Sequence, residues 1–305
     1  MSPTAQGLIP ILATPFSPDG SLDLPSLRRL TEFQLASGVD GVAVLGMASE
    51  AFALTSAERR VVTEEVSTVV GSAVPLIVGV AATSAVTAAE QASDSIESGA
   101  DAVMVLPPFM VQADPAQLIE FYVAVAATGS EVMVQDAPGV TGVAISPQQI
   151  ADLSRIPGVS SVKVEAPPTA AKVAAVVDQI AEPDFVVLGG LNAQFLLDEL
   201  AAGAVGTMPA CEIPDLLEPV ISAWRERRYD DARTQFDLLL PLLAYGLQPG
   251  IAWAVHKEVL VRRGLIEHPT VRLPARALDA RGRVGLSAIL DRLGLTRLTP
   301  QTGLR

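Results

Sequence analysis

Eight short apolar runs, most rich in Val, Ile or Leu, recur through the first two-thirds of the chain. Nearly every one is followed by a longer amphipathic stretch. The strand-like runs are GLIPILAT (7–14), GVAVLG (41–46), PLIVGVA (75–81), DAVMVLP (101–107), EVMVQDA (131–137), VSSVKVE (159–165), DFVVLGG (184–190) and AVGTMPA (204–210). Stretches 24–37, 56–70, 85–98, 115–127, 146–155 and 168–180 place apolar residues at helical spacing between them. Three joints, SGVDGVAVLG, SGADAVMVLP and AAGAVGTMPA, close a helix on Gly before entering a strand. Strands that alternate with helices in this way predict an α/β fold, a (β/α)8 TIM barrel. An open doubly wound sheet would carry a Gly-rich phosphate loop after its first strand, and TPFSPDGSL offers no GxGxxG.

The barrel is expected over residues 1–220. From Pro219 onward the strand pattern stops. SAWRERRYDDARTQFDLLLPLLAYG, GIAWAVHKEVLVRRG and GLSAILDRLG predict a C-terminal helical region, 221–305, packed on the barrel and without separate chemistry. His256 falls on one of these helices and reads as structural.

Composition narrows the function classes. A net charge of −13 argues against a nucleic-acid partner, because a phosphate backbone needs clustered Lys and Arg. No apolar run reaches the roughly 18 residues of a membrane helix. The N-terminus MSPTAQGLIP lacks the basic-then-apolar pattern of a secretion signal. A single cysteine, Cys211, forms no internal disulfide and suits a reducing cytoplasm. Two histidines, with no CxxC or HExxH, exclude a His-rich metal site, and no metal ligands are assigned.

Against that background one residue is out of place. The chain has three lysines against eighteen arginines, and one of the three, Lys163, sits in the strand VSSVKVE. Strand side chains alternate faces, so Ser161, Lys163 and Glu165 share one side while Ser160, Val162 and Val164 share the other. In a barrel the valines pack on helices and the polar trio looks inward. Glu165 then lies nearer the C-terminal mouth, where barrel enzymes keep their sites. On the preceding strand Met133 and Gln135 share a face, which would bring the Gln135 amide beside Lys163 and Glu165. An internal ion pair of this kind seldom improves stability over apolar residues. The chemical reading is that Lys163 attacks a carbonyl substrate as a sheltered amine, forming a Schiff base.

These residues resemble the dihydrodipicolinate synthase/N-acetylneuraminate lyase family of Schiff-base barrel enzymes, from about Gly7 to at least Arg272. The likeness rests on ATPFSPDGSLD, VDGVAVLGMASEAFALTSAER, PGVTG, the VKVEA strand and LGGLNA. It implies that Lys163 forms the imine, with no other cofactor. It also implies that a small anionic 2-oxo acid places its carboxylate near the Gly46–Glu50 loop. Gly46, Ala48 and Ser49 are the candidates there, with backbone N–H groups as donors. Ser49 reads equally as a helix cap, and Glu50 as a hydrogen-bond acceptor under the loop. Gly190, beside Gly189, allows close backbone approach or serves a tight turn. The resemblance further implies a homotetramer or homodimer.

Several family positions are changed. The usual tyrosine before PG is Gln135, the arginine after it is Val140, the loop threonines are Met47 and Ala48, and the aromatic pair after the fourth strand is Phe109-Met110. VQDAP (134–138), KVE (163–165), SEAF (49–52) and GTMP (206–209) are similar instead to the 2-keto-3-deoxy-sugar-acid dehydratase branch, typified by L-2-keto-3-deoxyarabonate dehydratase. The GTMP match adds Met208 to the substrate wall. That branch implies catalytic roles for Gln135, Lys163 and Glu165, although its histidine after the third strand is replaced by Ala82 or a neighbour. A glutamine has no titratable proton to play tyrosinate to a C4 hydroxyl, so dehydration is expected over retro-aldol cleavage. The alternatives are a pyruvate-releasing aldolase and a non-catalytic 2-oxo acid binder. A buried Glu165 is expected to have a raised pKa.

Overall fold

The computed structural model describes residues 6–298. Its strands are β1 (Gly7–Leu8), β2 (Val42–Val44), β3 (Leu76–Val80), β4 (Ala102–Val105), β5 (Glu131–Asp136), β6 (Val159–Val164), β7 (Val186–Gly189) and β8 (Gly206–Thr207). They form one parallel sheet in the order β1-β8-β7-β6-β5-β4-β3-β2. Ile11 bridges both Ala43 and Ala210, which joins the two ends of the sheet and closes the (β/α)8 barrel. β1 is much shorter than the 7–14 run suggests. Pro10 has no N–H for a ladder, so the regular strand ends at Leu8, while Ile9 and Ile11 still donate to the Thr207 and Pro209 carbonyls at 3.1 and 2.7 Å.

The helices are α1 (Leu24–Ala36), α2 (Ser56–Val70), α3 (Ala85–Glu97), α4 (Pro115–Ala126), α5 (Pro138–Thr141), α6 (Pro147–Leu153), α7 (Thr169–Val177), α8 (Leu196–Ala201), α9 (Pro214–Arg225), α10 (Tyr229–Tyr245), α11 (Ala252–Arg263) and α12 (Ala280–Arg292). Local chemistry starts several of them. Thr55/Glu58, Asp114/Gln117 and Ser146/Gln149 form capping boxes on α2, α4 and α6. The stretch 222–246 is two helices, not one, because Arg227 takes a left-handed φ of 62° and reverses the chain between α9 and α10. A boundary at 220 falls inside α9, which packs on β1 as the eighth helix of the barrel ring.

The barrel interior is filled by side chains that include Ile9, Ile11, Ile77, Met104, Met133 and Leu188. Outward residues such as Val103, Val134, Val162 and Val164 form the layer under α3, α4, α6 and α7. The opposite half of that layer is continuous with α9 to α12, so the C-terminal helices share one core with the barrel. Among the described residues no helix is long and apolar enough to cross a membrane.

Two ties bring α11 back over the barrel mouth. The Trp253 indole N–H donates to the Met47 carbonyl at 2.6 Å. The Lys257 ammonium pairs with Glu50, donates to the Thr270 carbonyl at 2.7 Å and sits 4.1 Å above the Phe16 ring centroid. Glu50 Oε2 also accepts from the Arg272 amide at 2.9 Å.

Candidate active site

A register shift in β5–β6 places the central residues. Val132 pairs with Val159, but Met133 pairs with Ser161, so one extra residue, Ser160, enters β6. Its hydroxyl turns away to Glu131 at 2.7 Å. Because a one-residue offset flips every later side chain to the other face, this bulge puts the inward Gln135 directly beside the inward Lys163.

The three side chains then connect. Lys163 Nζ lies 3.0 Å from Glu165 Oε1, and the Gln135 amide donates to Glu165 Oε2 at 2.7 Å. A third donor comes from the backbone. Leu191, Asn192 and Ala193 all take left-handed φ angles of 45°, 53° and 57°. That strained turn after β7 delivers the Leu191 N–H to Glu165 Oε1 at 3.2 Å. Lys163 retains 1% of its surface exposed.

Burial pushes the Glu165 carboxyl up, but the Lys163 charge, the Gln135 amide, the Lys163 hydrogen bond and the Leu191 amide together bring it below the ordinary value. The raised pKa expected from burial alone is therefore corrected: Glu165 stands as a carboxylate. Outside the barrel wall, Asp136 pairs with Lys172 at 3.2 Å, and burial nevertheless raises its pKa. Glu199 of α8 lies behind β7, against Gly189. Desolvation first, offset by the Thr169 hydroxyl and reinforced by the Glu165 charge, raises its carboxyl to about 7.

Two cavities meet at the mouth. One, of about 520 Å³, is lined by Lys163, Glu165, Ala48, Asn192, Met208 and His256 among others. The second, of about 450 Å³, is lined by Gln135, Gly46, Phe52, Arg59 and Phe109. Met47, Val140 and Trp253 border both, so the two are lobes of one cleft of small-ligand size. Neither lobe is lined by a tyrosine. Tyr122 is buried outside the barrel, where its hydroxyl donates to the Val105 carbonyl at 3.0 Å.

The loop candidates separate. Gly46 and Ala48 line the cleft, and the Met47 and Ala48 amides, the first of a 3-10 turn, have no backbone acceptor among the described residues. Ser49 is buried and lines neither lobe. Its hydroxyl donates to the Leu12 carbonyl at 2.5 Å, and its carbonyl accepts from Thr14. Gly46, not Ser49, occupies the cap position of the turn. Gly190 stands behind Glu165, and a Cβ there would lie 2.3 Å from Glu165 Cγ, so the glycine leaves room for the carboxylate. Met208 is part of the inner layer and reaches the cleft floor.

Three cleft residues escape a strand-by-strand reading of the sequence. Arg59 comes from α2 and donates to the Gly79 carbonyl at 3.0 Å and to Gln91 at 3.2 Å. It has no carboxylate partner among the described residues. Trp253 and His256 come from α11. The AWAVH pattern of two ring nitrogens three residues apart was the available signal. Among the described residues no group of three or more His, Cys, Asp and Glu is placed to hold a metal ion.

Known proteins share this fold. The chain is 35% identical over 302 residues to L-2-keto-3-deoxyarabonate dehydratase from Azospirillum brasilense, covering 96% of both. It is 29% identical over 289 residues to a 4-hydroxy-tetrahydrodipicolinate synthase from Methanosphaerula palustris, covering 94% of this chain and 98% of the relative. A dihydrodipicolinate synthase from Rhodopseudomonas palustris superposes with a TM-score of 0.89 at 29% identity, over 96% of this chain and 99% of that one. A prophage protein of the dihydrodipicolinic acid synthase family from E. coli K12, solved in complex with pyruvate, gives 0.89 at 26% identity, over 95% of this chain and 99% of that one. The model of the dihydrodipicolinate synthetase family matches residues 4–293. With a closed eightfold barrel, a lysine inside it and a family match along nearly its whole length, the chain belongs to the dihydrodipicolinate synthetase family.

Proposed function

We infer that this chain is a Schiff-base-forming lyase that dehydrates a 2-keto-3-deoxy sugar acid. The observation that carries the reading is the contact of Glu165 with both Lys163 and Gln135 in a cleft without a tyrosine. Similarity to a 2-keto-3-deoxy sugar acid dehydratase over 96% of the chain supports it.

The chemistry follows from the contacts. The substrate carboxylate meets the free amides of Met47 and Ala48. The Lys163 ammonium yields a proton to Glu165 and its amine adds to the C2 ketone; Glu165 returns the proton so that the former carbonyl oxygen leaves as water, giving a cationic iminium that acidifies C3. Glu165, already a carboxylate, takes a C3 proton, and the electron pair moves to give a neutral enamine. The positive charge that held the Glu165 pKa down is then gone, while burial still favours its acid form. Glu165 therefore passes that proton to the C4 hydroxyl, which leaves as water and gives a conjugated iminium. Hydrolysis frees Lys163 and the dehydrated 2-oxo acid. Gln135 holds Glu165 in place and cannot itself accept a proton from a C4 hydroxyl, the step a retro-aldol cleavage needs.

The test is borohydride reduction with pyruvate and with a panel of 2-keto-3-deoxy pentonates and hexonates, followed by mass analysis. Trapped mass on Lys163 and a single product lighter by one water are expected. Pyruvate plus an aldehyde would make the chain an aldolase. Trapping without turnover would make it a binder. No trapping, or full turnover by Lys163→Ala, removes the reading. The same reading includes a homodimer or homotetramer that covers the exposed Met110 and Val111. Sedimentation at twice or four times the 31.8 kDa of one chain supports that assembly, and sedimentation at 31.8 kDa removes it.

A further inference from the structure

The 520 Å³ lobe is far larger than three carbons of an oxo acid require, and part of its wall, from Gly246 to His256, is built by elements outside the barrel strands. Five side chains in that lining carry strongly polar atoms: Lys163, Glu165, Asn192, Trp253 and His256. Lys163 and Glu165 hold each other. Asn192 is spent on the Leu243 carbonyl and the Ala210 amide, and Trp253 on the Met47 carbonyl. His256 is different. Its Nδ1 lies 2.8 Å from Glu212 Oε1, and its Nε2 makes no hydrogen bond among the described residues. Glu212 is 1% exposed and its Oε2 also lacks a partner. Glu212 takes Nδ1, so Nε2 is the ring atom left free for the cleft, and a hydroxyl can either donate to it or accept from it. Gly246 packs against the ring so closely that a Cβ there would lie 2.8 Å from His256 Cε1.

We propose that His256, oriented by Glu212, is a specificity-determining residue that hydrogen-bonds a hydroxyl at the far end of the substrate. This rests on the imine reading above, which fixes the near end at Lys163. The geometry selects a substrate class: a 2-keto-3-deoxy acid whose chain continues beyond C4 to a neutral hydroxyl. A chain that ends without that hydroxyl would leave Nε2 unpartnered and bind more weakly.

The test measures, for the wild-type protein, the ligand concentration giving half-maximal borohydride trapping. The ligands are pyruvate, a 2-keto-3-deoxypentonate and its 5-deoxy analogue. The pentonate is expected to trap at about tenfold or more lower concentration than its 5-deoxy analogue. In His256→Phe combined with Glu212→Gln, which keeps the ring volume and leaves no unpaired buried charge, the pentonate's advantage over its 5-deoxy analogue is expected to shrink to within threefold. Failure of the wild-type protein to trap pyruvate overturns the imine reading and this inference with it. Trapping of pyruvate with equal pentonate and 5-deoxypentonate concentrations overturns the inference alone, as does an unchanged advantage in the double variant. If that variant traps nothing, the wild-type comparison decides.

Discussion

Glu165 shows how one side chain is assigned its role by neighbours with opposite effects. Burial favours its acid form, and the Lys163 ammonium with two further donors favours the carboxylate, which wins. The role therefore changes when the nitrogen loses its charge, so Glu165→Gln is expected to lower turnover by about 10²- to 10⁴-fold while pyruvate is still trapped on Lys163. Product formation and trapped mass check this together. Gly190→Ala tests the same carboxylate from behind. Its Cβ would sit 2.3 Å from Glu165 Cγ. Turnover is expected to fall, with about 1–3 kcal/mol of stability lost in urea denaturation. Lys163, Glu165 and Gln135 were legible because strand alternation assigns each to a face without knowledge of the fold. His256 was not. Its partner lies 44 residues away on another segment, and no local period reports such a contact. Ser49 failed to stay a cleft candidate for a related reason, since the Leu12 carbonyl that takes its hydroxyl comes from the other side of the barrel seam.

At the scale of elements, the boundaries of α2, α3, α4 and α11 were written locally by caps and apolar period, and the strands by their β-branched runs. What was not local is the placement of α11 across the mouth. The ion pair of Lys257 with Glu50 fastens it to the 46–50 turn, and both residues are buried. Desolvation, opposed by Glu50, lowers the Lys257 ammonium to about 8. Removing one member strands the other. Lys257→Met is expected to cost about 3–5 kcal/mol in equilibrium denaturation, and adding Glu50→Gln to recover a large part of it. The variant is also expected to weaken substrate binding, because Met47 borders both lobes and is held by Trp253 of the same helix.

The whole molecule carries a pH dependence set by Glu199. Its carboxyl is raised from 4.5 to about 7, mainly by desolvation, and its oxygens have no hydrogen bond in ordinary geometry among the described residues. Between those values the folded state binds more protons than the unfolded chain. The stabilisation is fully present below about pH 4.5 and is lost as pH rises through 7. The loss is on the order of 3 kcal/mol. Glu199→Gln is expected to be more stable than the wild type at pH 8, with little or reversed difference at pH 4.5, as read by urea midpoints.

The α11 wall has a consequence for how such a molecule diversifies. On the proposed reading, the reacting end of the ligand is held by strands whose register is fixed by the barrel, whereas the far end meets a helix whose sequence is free of that constraint. If that reading holds, substitutions around Trp253 and His256 would retune which sugar is accepted while leaving the covalent step intact. One inherited reaction centre can thus serve a succession of different diets.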